Sequence, residues 1–360
     1  MHLTRVTCEH FRCLDAVDFA PAPGVNVIRG LNAQGKTSLL EAILYGATSK
    51  SHRTNTESEL LQHGAESFHI ALEARRADRD VAIQAHWWRG AKRFKVNGIA
   101  QNRLSDILGR IHVVFFSPED VELVKGGAGG RRRFLDMEIS QVEPAYLAAL
   151  QQYRQVLRQR NELLKRSKVD EALLDVWDTQ MAAQGAVVIR AREAYVAELA
   201  AYTAEAYAAV ARAESLALAY EPDVADPDSL YDALVRTRQN DLRRGQTQRG
   251  PHRDDLAFRI GDRPARAYGS QGQQKSASLA LKLAEVELVH ARTGEYPVLM
   301  LDEVLAELDN RRATQLFAVL GKSVQSLVTT TELERREGVF AADAVFRLEG
   351  GRLAEEEEGQ

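Results

Sequence analysis

Gly30-Leu31-Asn32-Ala33-Gln34-Gly35-Lys36-Thr37 fits the pattern G-x-x-x-x-G-K-[ST]. Residues 25–28, just upstream, are apolar enough for a buried strand, and residues 38–45, just downstream, read as a helix. A strand, a glycine-rich turn and a helix in that order point several backbone N–H groups at one place. The helix adds the positive end of its dipole there. The pattern predicts a phosphate-binding loop for ATP. Lys36 would neutralise the β- and γ-phosphates, and the Thr37 hydroxyl would ligate Mg²⁺.

Such a loop needs an acidic partner on a neighbouring strand. Val298-Leu299-Met300-Leu301-Asp302-Glu303 has the right form, four apolar residues ending in two carboxylates. Asp302 is expected to hold Mg²⁺, and Glu303 to orient or polarise the attacking water as the catalytic group.

Around these anchors the chain is of ordinary globular composition. It has 360 residues, 45% hydrophobic and 27% charged, with a formal net charge of -4, so any DNA binding must come from local basic patches. Its two cysteines, Cys8 and Cys13, make neither a disulfide framework nor a four-ligand zinc site, and they fit a reducing cytoplasm. No secretory pattern opens the chain and no apolar run is long enough to span a bilayer, so no membrane role is expected.

Short strands are predicted around Leu3, Val6 and Phe11, around Val17 and Phe19, and over residues 69–73, 81–86 and 113–116. Val96-Asn97-Gly98 reads as a hairpin turn. A glycine cluster from Gly126 to Gly130 marks a boundary. Beyond it Tyr146, Leu150, Tyr153, Leu157 and Leu164 recur at helical spacing. Leu173, Trp177, Met181, Gln184, Val188, Tyr195, Leu199 and Tyr202 do the same, which predicts a pair of long antiparallel helices. Asn161 either fixes their register or lies solvated on the surface. A strand over Leu256, Phe258 and Ile260 follows, then a helix over 276–291, a strand over 297–301, a helix over 311–320 and a strand over 325–329. Residues 355–358 are an acidic run, read as a disordered tail. The division expected is a discontinuous α/β head, residues 1–125 and 245–360, with a helical insertion or arm at 126–244.

Tyr268-Gly269-Ser270-Gln271-Gly272-Gln273-Gln274 opens the helix before the acidic strand. A serine and a glycine at a helix start can hold the γ-phosphate of a second nucleotide. This resembles the Leu-Ser-Gly-Gly-Gln signature of ABC-type ATPases, with Gly269 and Gln271 as departures. In that class Ser270, Gln271, Gly272 and Gln273 would act in trans on a second copy. Ala306-Glu307-Leu308-Asp309 looks like the D-loop, with Asp309 at the dimer interface. Thr329-Thr330-Thr331 stands where many ABC-type ATPases carry a switch histidine, a departure that argues for slow hydrolysis.

Lys50-Ser51-His52-Arg53-Thr54, Phe116-Ser117-Pro118-Glu119-Asp120, Arg131-Arg132-Arg133-Phe134-Leu135-Asp136 and Arg249-Gly250-Pro251-His252-Arg253-Asp254-Asp255 extend the resemblance. Together with the loop and signature variants they resemble the RecF family, bacterial recombination-repair ATPases related to the heads of SMC and Rad50 proteins. The resemblance implies an ABC-type P-loop head with a short inserted arm, roughly 50 Å at 1.5 Å per residue. It also implies a cytoplasmic protein of DNA replication, repair and the SOS response. Such a protein binds single- and double-stranded DNA and gaps, forms an ATP-dependent homodimer, and works with RecR and RecO to load RecA. Weak, DNA-stimulated ATP hydrolysis would reset the dimer.

Candidate basic clusters for DNA phosphates are Lys50 with Arg53; Lys92, Arg93 and Lys95; Arg131 to Arg133; Arg154, Arg158, Lys165 and Arg166; and Arg243 with Arg244. Each has a solvated helix or strand face as its alternative. Trp87 and Trp88, beside the second cluster, offer either base stacking or one core ring and one face ring. The competing class, a transporter ATPase subunit, would show no salt-sensitive DNA binding.

Overall fold

The computed structural model describes residues 1–211, 214–307, 310–320, 323–331 and 341–355. The chain divides into two compact units, Met1–Asp120 with Glu285–Gln360, and Val121–Ala284.

In the first unit β1 (His2–Phe11) buries Leu3, Val6, Cys8 and Phe11. Leu3 and Val6 lie an odd number apart yet face the same way because a register shift falls between Leu3 and Arg5, as a β-bulge requires. After β2 (Leu14–Phe19), β3 (Val25–Arg29) leads through the glycine-rich turn into α1 (Lys36–Thr48). β4 (Ser67–Arg75), β5 (Asp80–Trp88), β6 (Ala91–Val96) and β7 (Ile99–Gln101) follow, completing an antiparallel sheet of order β2-β1-β4-β5-β6-β7. Asn97 and Gly98, at φ 49 and 79, make the tight turn that the sequence predicts between β6 and β7.

The chain then enters a second sheet at β8 (Val113–Phe116). The second unit carries α2 (Val121–Lys125), α3 (Ala128–Val142), α4 (Pro144–Leu164), α5 (Glu171–Val210), β9 (Leu216–Glu221), α6 (Leu230–Arg244), β10 (Asp255–Ile260), β11 (Arg263–Pro264), α7 (Ala265–Tyr268) and the start of α8 (Gln271–Thr293). Back in the first unit come β12 (Val298–Asp302), α9 (Val304–Glu307), α10 (Asn310–Leu320), β13 (Ser326–Thr330), β14 (Ala344–Glu349) and β15 (Arg352–Glu355). The second sheet has the order β15-β14-β3-β13-β12-β8, and all its pairs are parallel except β14–β15. Its central strands are buried on both faces, so β12 and β13 are buried at every position.

α1 touches strands of both sheets, β1, β4 and β5 on one side and β8, β12 and β13 on the other. That explains why it is buried nearly all round, with Leu39, Leu40 and Ile43 fully enclosed. Each such side chain contributes roughly 1.5–3 kcal/mol. Gly46 permits the close approach to β4, since a Cβ there would meet Leu72 at 2.8 Å. The β14–β15 hairpin is absent from the sequence-based expectation. Its Glu349-Gly350-Gly351-Arg352 turn, after alternating Val345, Phe346, Arg347 and Leu348, is a signal that was there to be read.

In the second unit the long helices pack as a pair, but unequally. α4 has 21 residues and α5 has 40, lengths of roughly 30 and 60 Å. The buried stripe of α5 runs through Leu174, Asp178, Met181, Val188, Arg192, Tyr195 and Leu199. Leu173, expected in the seam, is 36% exposed instead, because charged Asp178 and Arg192 take inward positions that an apolar count skips. Arg160 is fully enclosed and donates to Asp178 (2.5 Å), Asp241 (2.8 Å) and Thr247 (2.8 Å). Arg192 donates to Asp136, Asp254 and the Pro251 carbonyl. Asn161 neither sets a helix register nor lies solvated. Its Oδ1 accepts from the Thr247 N–H at 2.8 Å and hydroxyl at 2.7 Å.

The second unit does not stop at Arg244, where the arm is expected to end. β10 pairs with β9 along its whole length, and the Arg131–Asp255 and Arg192–Asp254 ion pairs tie residues 254 and 255 to α3 and α5. β9 lies within the stretch expected to be a helical insertion, so the insertion is not wholly helical. Residues 356–360 of the acidic tail lie outside the described residues.

Candidate nucleotide-binding site

β3 ends at the loop, and the backbone turns there through Ala33 at φ 65 and Gly35 at φ 107. The second of these conformations needs glycine, and a side chain at Gly35 would also strike Leu14 and Cys13. Gly30 is required for space, because a Cβ would lie 2.4 Å from the Leu348 carbonyl oxygen. Leu31 is 76% exposed, and Asn32 and Ala33 are exposed beside it. Gln34 turns the other way and its Oε1 accepts from the Gly350 N–H at 2.7 Å, fastening the loop to the β14–β15 hairpin.

Lys36 begins α1 and is nearly buried. Its ammonium donates to the carbonyls of Gly30 (2.7 Å) and Leu31 (3.1 Å) and lies 2.9 Å from Glu303 Oε1. The next residue, Thr37, donates from Oγ1 to Asp302 Oδ1 at 3.1 Å. The loop and the acidic strand, far apart in sequence, thus meet at two adjacent side-chain pairs.

β13 lies between β3 and β12 and completes the junction. Asp302 is in register with Thr329, and Thr329 with Ile28. Thr329 Oγ1 donates to Asp302 Oδ1 at 2.8 Å and accepts from the Glu303 N–H at 2.9 Å. Glu303 has φ 54, a conformation that costs a non-glycine residue of order 1 kcal/mol. The bond from its N–H to Thr329 helps hold it there. Sequence reasoning noted this threonine only as a missing histidine. Its part in orienting the acids depends on a long-range register that no local motif encodes.

Two oxygens 3.1 Å apart, one hydroxyl and one carboxylate, are hard donors of the kind that suits Mg²⁺. No group of three or more His, Cys, Asp or Glu side chains able to hold a metal occurs among the described residues.

Glu41, within the apolar face of α1, is fully buried and accepts from Arg12 (3.0 and 2.8 Å) and Ser51 (2.5 Å). Burial pushes its carboxyl pKa up, but hydrogen bonds from Arg12 and Ser51 outweigh it and the net shift is downward. Next to Ser51, the His52 ring lies 4.2 Å from that of Phe115, and burial lowers its pKa against the pull of Glu41 and Asp302. This cluster pins residues 51–53 to α1. A lone carboxylate in Leu39-Leu40-Glu41-Ala42-Ile43 was its sequence signal.

The signature segment lies in the second unit. Ser270 caps α8, with its Oγ accepting from the Gln273 N–H (3.2 Å) while Gln273 Oε1 accepts from the Ser270 N–H (2.7 Å). Gln273 Nε2 also donates to Glu214 at 2.5 Å. Ser270, Gln271 and Gly272 are exposed, and nothing lies within 4 Å of a Cβ built on Gly272. Asp309 lies outside the described residues.

Several predicted basic clusters are not free. Arg131 is buried against Asp255, Arg154 meets Asp136 at 2.5 Å, Lys165 meets Glu162 and Lys92 meets Glu57. Of the tryptophan pair, Trp87 is core and Trp88 is 48% exposed. Among the described residues no helix is long and apolar enough to cross a membrane.

Comparison with other proteins identifies the family. The family described as RecF/RecN/SMC N terminal domain matches residues 2–352. The DNA replication and repair protein RecF of Halalkalibacterium halodurans is 40% identical, with 98% of this chain and 99% of that protein covered. RecF of Lactobacillus johnsonii is 39% identical, with 93% of each covered. A solved RecF-ATP structure, described as the recombination mediator protein in the RecFOR pathway, superposes with a TM-score of 0.91 at 34% identity, covering 99% of this chain and 98% of that one. An SMC head at 16% identity and TM-score 0.60 shares the fold. The family match over residues 2–352 and whole-chain relatives at 40% and 39% identity make this chain, an ABC-type ATPase head built on a mixed sheet, a member of the RecF family.

Proposed function

We infer that this chain is an ATP-dependent DNA-binding switch of replication and recombinational repair. The observation that carries the reading is the convergence of Lys36 on Glu303 and of Thr37 on Asp302 at the ends of two strands. The Lys36 ammonium has acceptors that phosphate oxygens would replace. Thr37 and Asp302 would hold Mg²⁺, which would offset phosphate charge. Glu303 would orient the attacking water once Lys36 turns to the phosphates.

The exposed Ser270 hydroxyl accepts within its cap, so its proton remains to be donated to the γ-phosphate of a nucleotide held by a second copy. ATP would then favour a homodimer by making contacts at both faces, and hydrolysis would release it. Asp309 would lie at that interface. Single- and double-stranded DNA and gaps are the expected substrates, RecR with RecO the partners, and RecA the protein loaded. Hydrolysis would be weak, DNA-stimulated and cytoplasmic. The names of the relatives support the repair context, and the absence of a histidine in Thr329-Thr330-Thr331 supports the slow rate.

Sedimentation with ATP, Mg²⁺ and gapped DNA tests the reading. A nucleotide-dependent shift to dimer is expected, lost in Lys36→Met. Glu303→Gln should slow phosphate release and prolong the ATP-bound dimer. Unchanged release and lifetime would remove Glu303 from the catalytic role.

A further inference from the structure

The outer face of the antiparallel sheet carries a cluster that the nucleotide site does not use. Trp87, Phe94 and Val96 point inward and are buried. Their neighbours Trp88, His86, Arg93 and Lys95 therefore face outward, since alternate residues of a strand share a face. The register places His69, His86 and Arg93 in one row across β4, β5 and β6, with Gln84 and Lys95 in the next. Trp88 heads the rings on β5, opposite Ala91. The Arg89-Gly90 turn, with φ 46 and 83, follows it directly and gives the hairpin a fixed geometry.

Three features of this face point to one ligand. Trp88 is 48% exposed although the Arg89 guanidinium lies 5.1 Å from the centre of its ring. Small residues, Ser67 and Ala91, flank Trp88 in its own row, so the neighbouring strands set nothing bulky against the indole. Arg93 and Lys95 are exposed, and neither makes an ion pair among the described residues, whereas Lys92 and Arg89 are occupied by Glu57 and Glu66. Burial is the main cause of the lowered pKa of His69; Glu9 opposes it, and His86 and Lys95 add to it.

We propose that this face binds single-stranded nucleic acid, Trp88 stacking on a base while Arg93 and Lys95 hold the phosphates. An exposed indole beside a column of cations matches a chain whose bases are unstacked and whose backbone is anionic. A duplex hides its base faces and offers the indole no partner. The proposal rests on the DNA-binding reading above and deepens it by naming a surface.

The test is a fluorescence and anisotropy titration of the full chain with an oligothymidylate across a salt series. Tryptophan emission should be quenched in the wild type. Trp88→Ala should weaken binding about tenfold, and Trp88→Phe should recover most of it. Arg93→Ala with Lys95→Ala should lower the log–log salt slope by about 1.4. ATP-dependent sedimentation should be unchanged in all of them, because none touches the nucleotide site. If the wild type binds but the variants keep its affinity and slope, the platform is wrong and the DNA-binding reading stands. If the wild type binds no nucleic acid, both fall. Equal loss of duplex binding in Trp88→Ala would overturn the single-strand assignment.

Discussion

The two units use the same arginine–aspartate chemistry in opposite settings. In the second unit Arg160 and Arg192 are buried, each shared between carboxylates on different elements, and the networks bind α3, α4, α5 and α6 to residues 247–254. In the first unit Arg5 meets Asp18 through two bonds of 2.9 and 2.7 Å, but both side chains are more than half exposed. The nucleotide site lies between these extremes, with Lys36 nearly buried and Glu303 27% exposed. A charge that must exchange partners needs access to solvent or ligand. A charge that organises a fold is enclosed and multiply bonded, because leaving it half-paired in a low dielectric is costly.

The largest effect expected from this contrast is on Arg160→Ala, which leaves buried Asp241 without its cation and Asp178 with Arg238 alone. Urea unfolding should show a loss of about 3–5 kcal/mol. A loss below about 1 kcal/mol would mean that the network does not hold the second unit together.

A smaller effect should appear with pH. Burial lowers the pKa of His252 to about 4, while Tyr153 and the Thr247 carbonyl lie at its two ring nitrogens. The group is neutral when folded and takes up a proton more readily when unfolded. Its contribution is therefore complete above the unfolded value of about 6.5 and falls away as the pH drops toward 4. Between pH 7 and pH 5 the chain should lose about 2 kcal/mol from this source, and His252→Gln should flatten that part of the profile. An identical pH dependence in the variant would show that other groups are responsible.

The smallest effect belongs to Arg5→Ala. Solvent competes for both partners, so the urea midpoint should not move measurably. A shift comparable to that of Arg160→Ala would erase the distinction between the two units.

The same distinction explains which parts of the site were legible in advance. Gly30, Gly35, Lys36 and Thr37 are local requirements of backbone conformation and chemistry, and they stand where the pattern puts them. Asp302 and Glu303 end a run of four apolar residues, the pattern of an interior strand, and β12 forms there. By contrast, Arg131 and Arg154 read as free cations in sequence because their partners Asp255 and Asp136 lie 124 and 18 residues away. Leu173 was placed in the helix seam because an inward Asp178 or Arg192 breaks the apolar count. β14 and β15 were passed over although the Gly350-Gly351 turn is explicit.

What the sequence determined by itself is the glycine-rich loop between β3 and α1, the acidic end of β12 and the alternation of sheet and helix. Each follows from neighbours a few residues apart, through allowed φ/ψ, burial periodicity and side-chain chemistry. Only the tertiary structure decided that Thr329 orients both acids, that Gln34 fastens the loop to Gly350, and that Arg131 and Arg154 are taken by Asp255 and Asp136. Those outcomes depend on strand order and register, which bring together residues hundreds of positions apart and are set by the packing of the whole core.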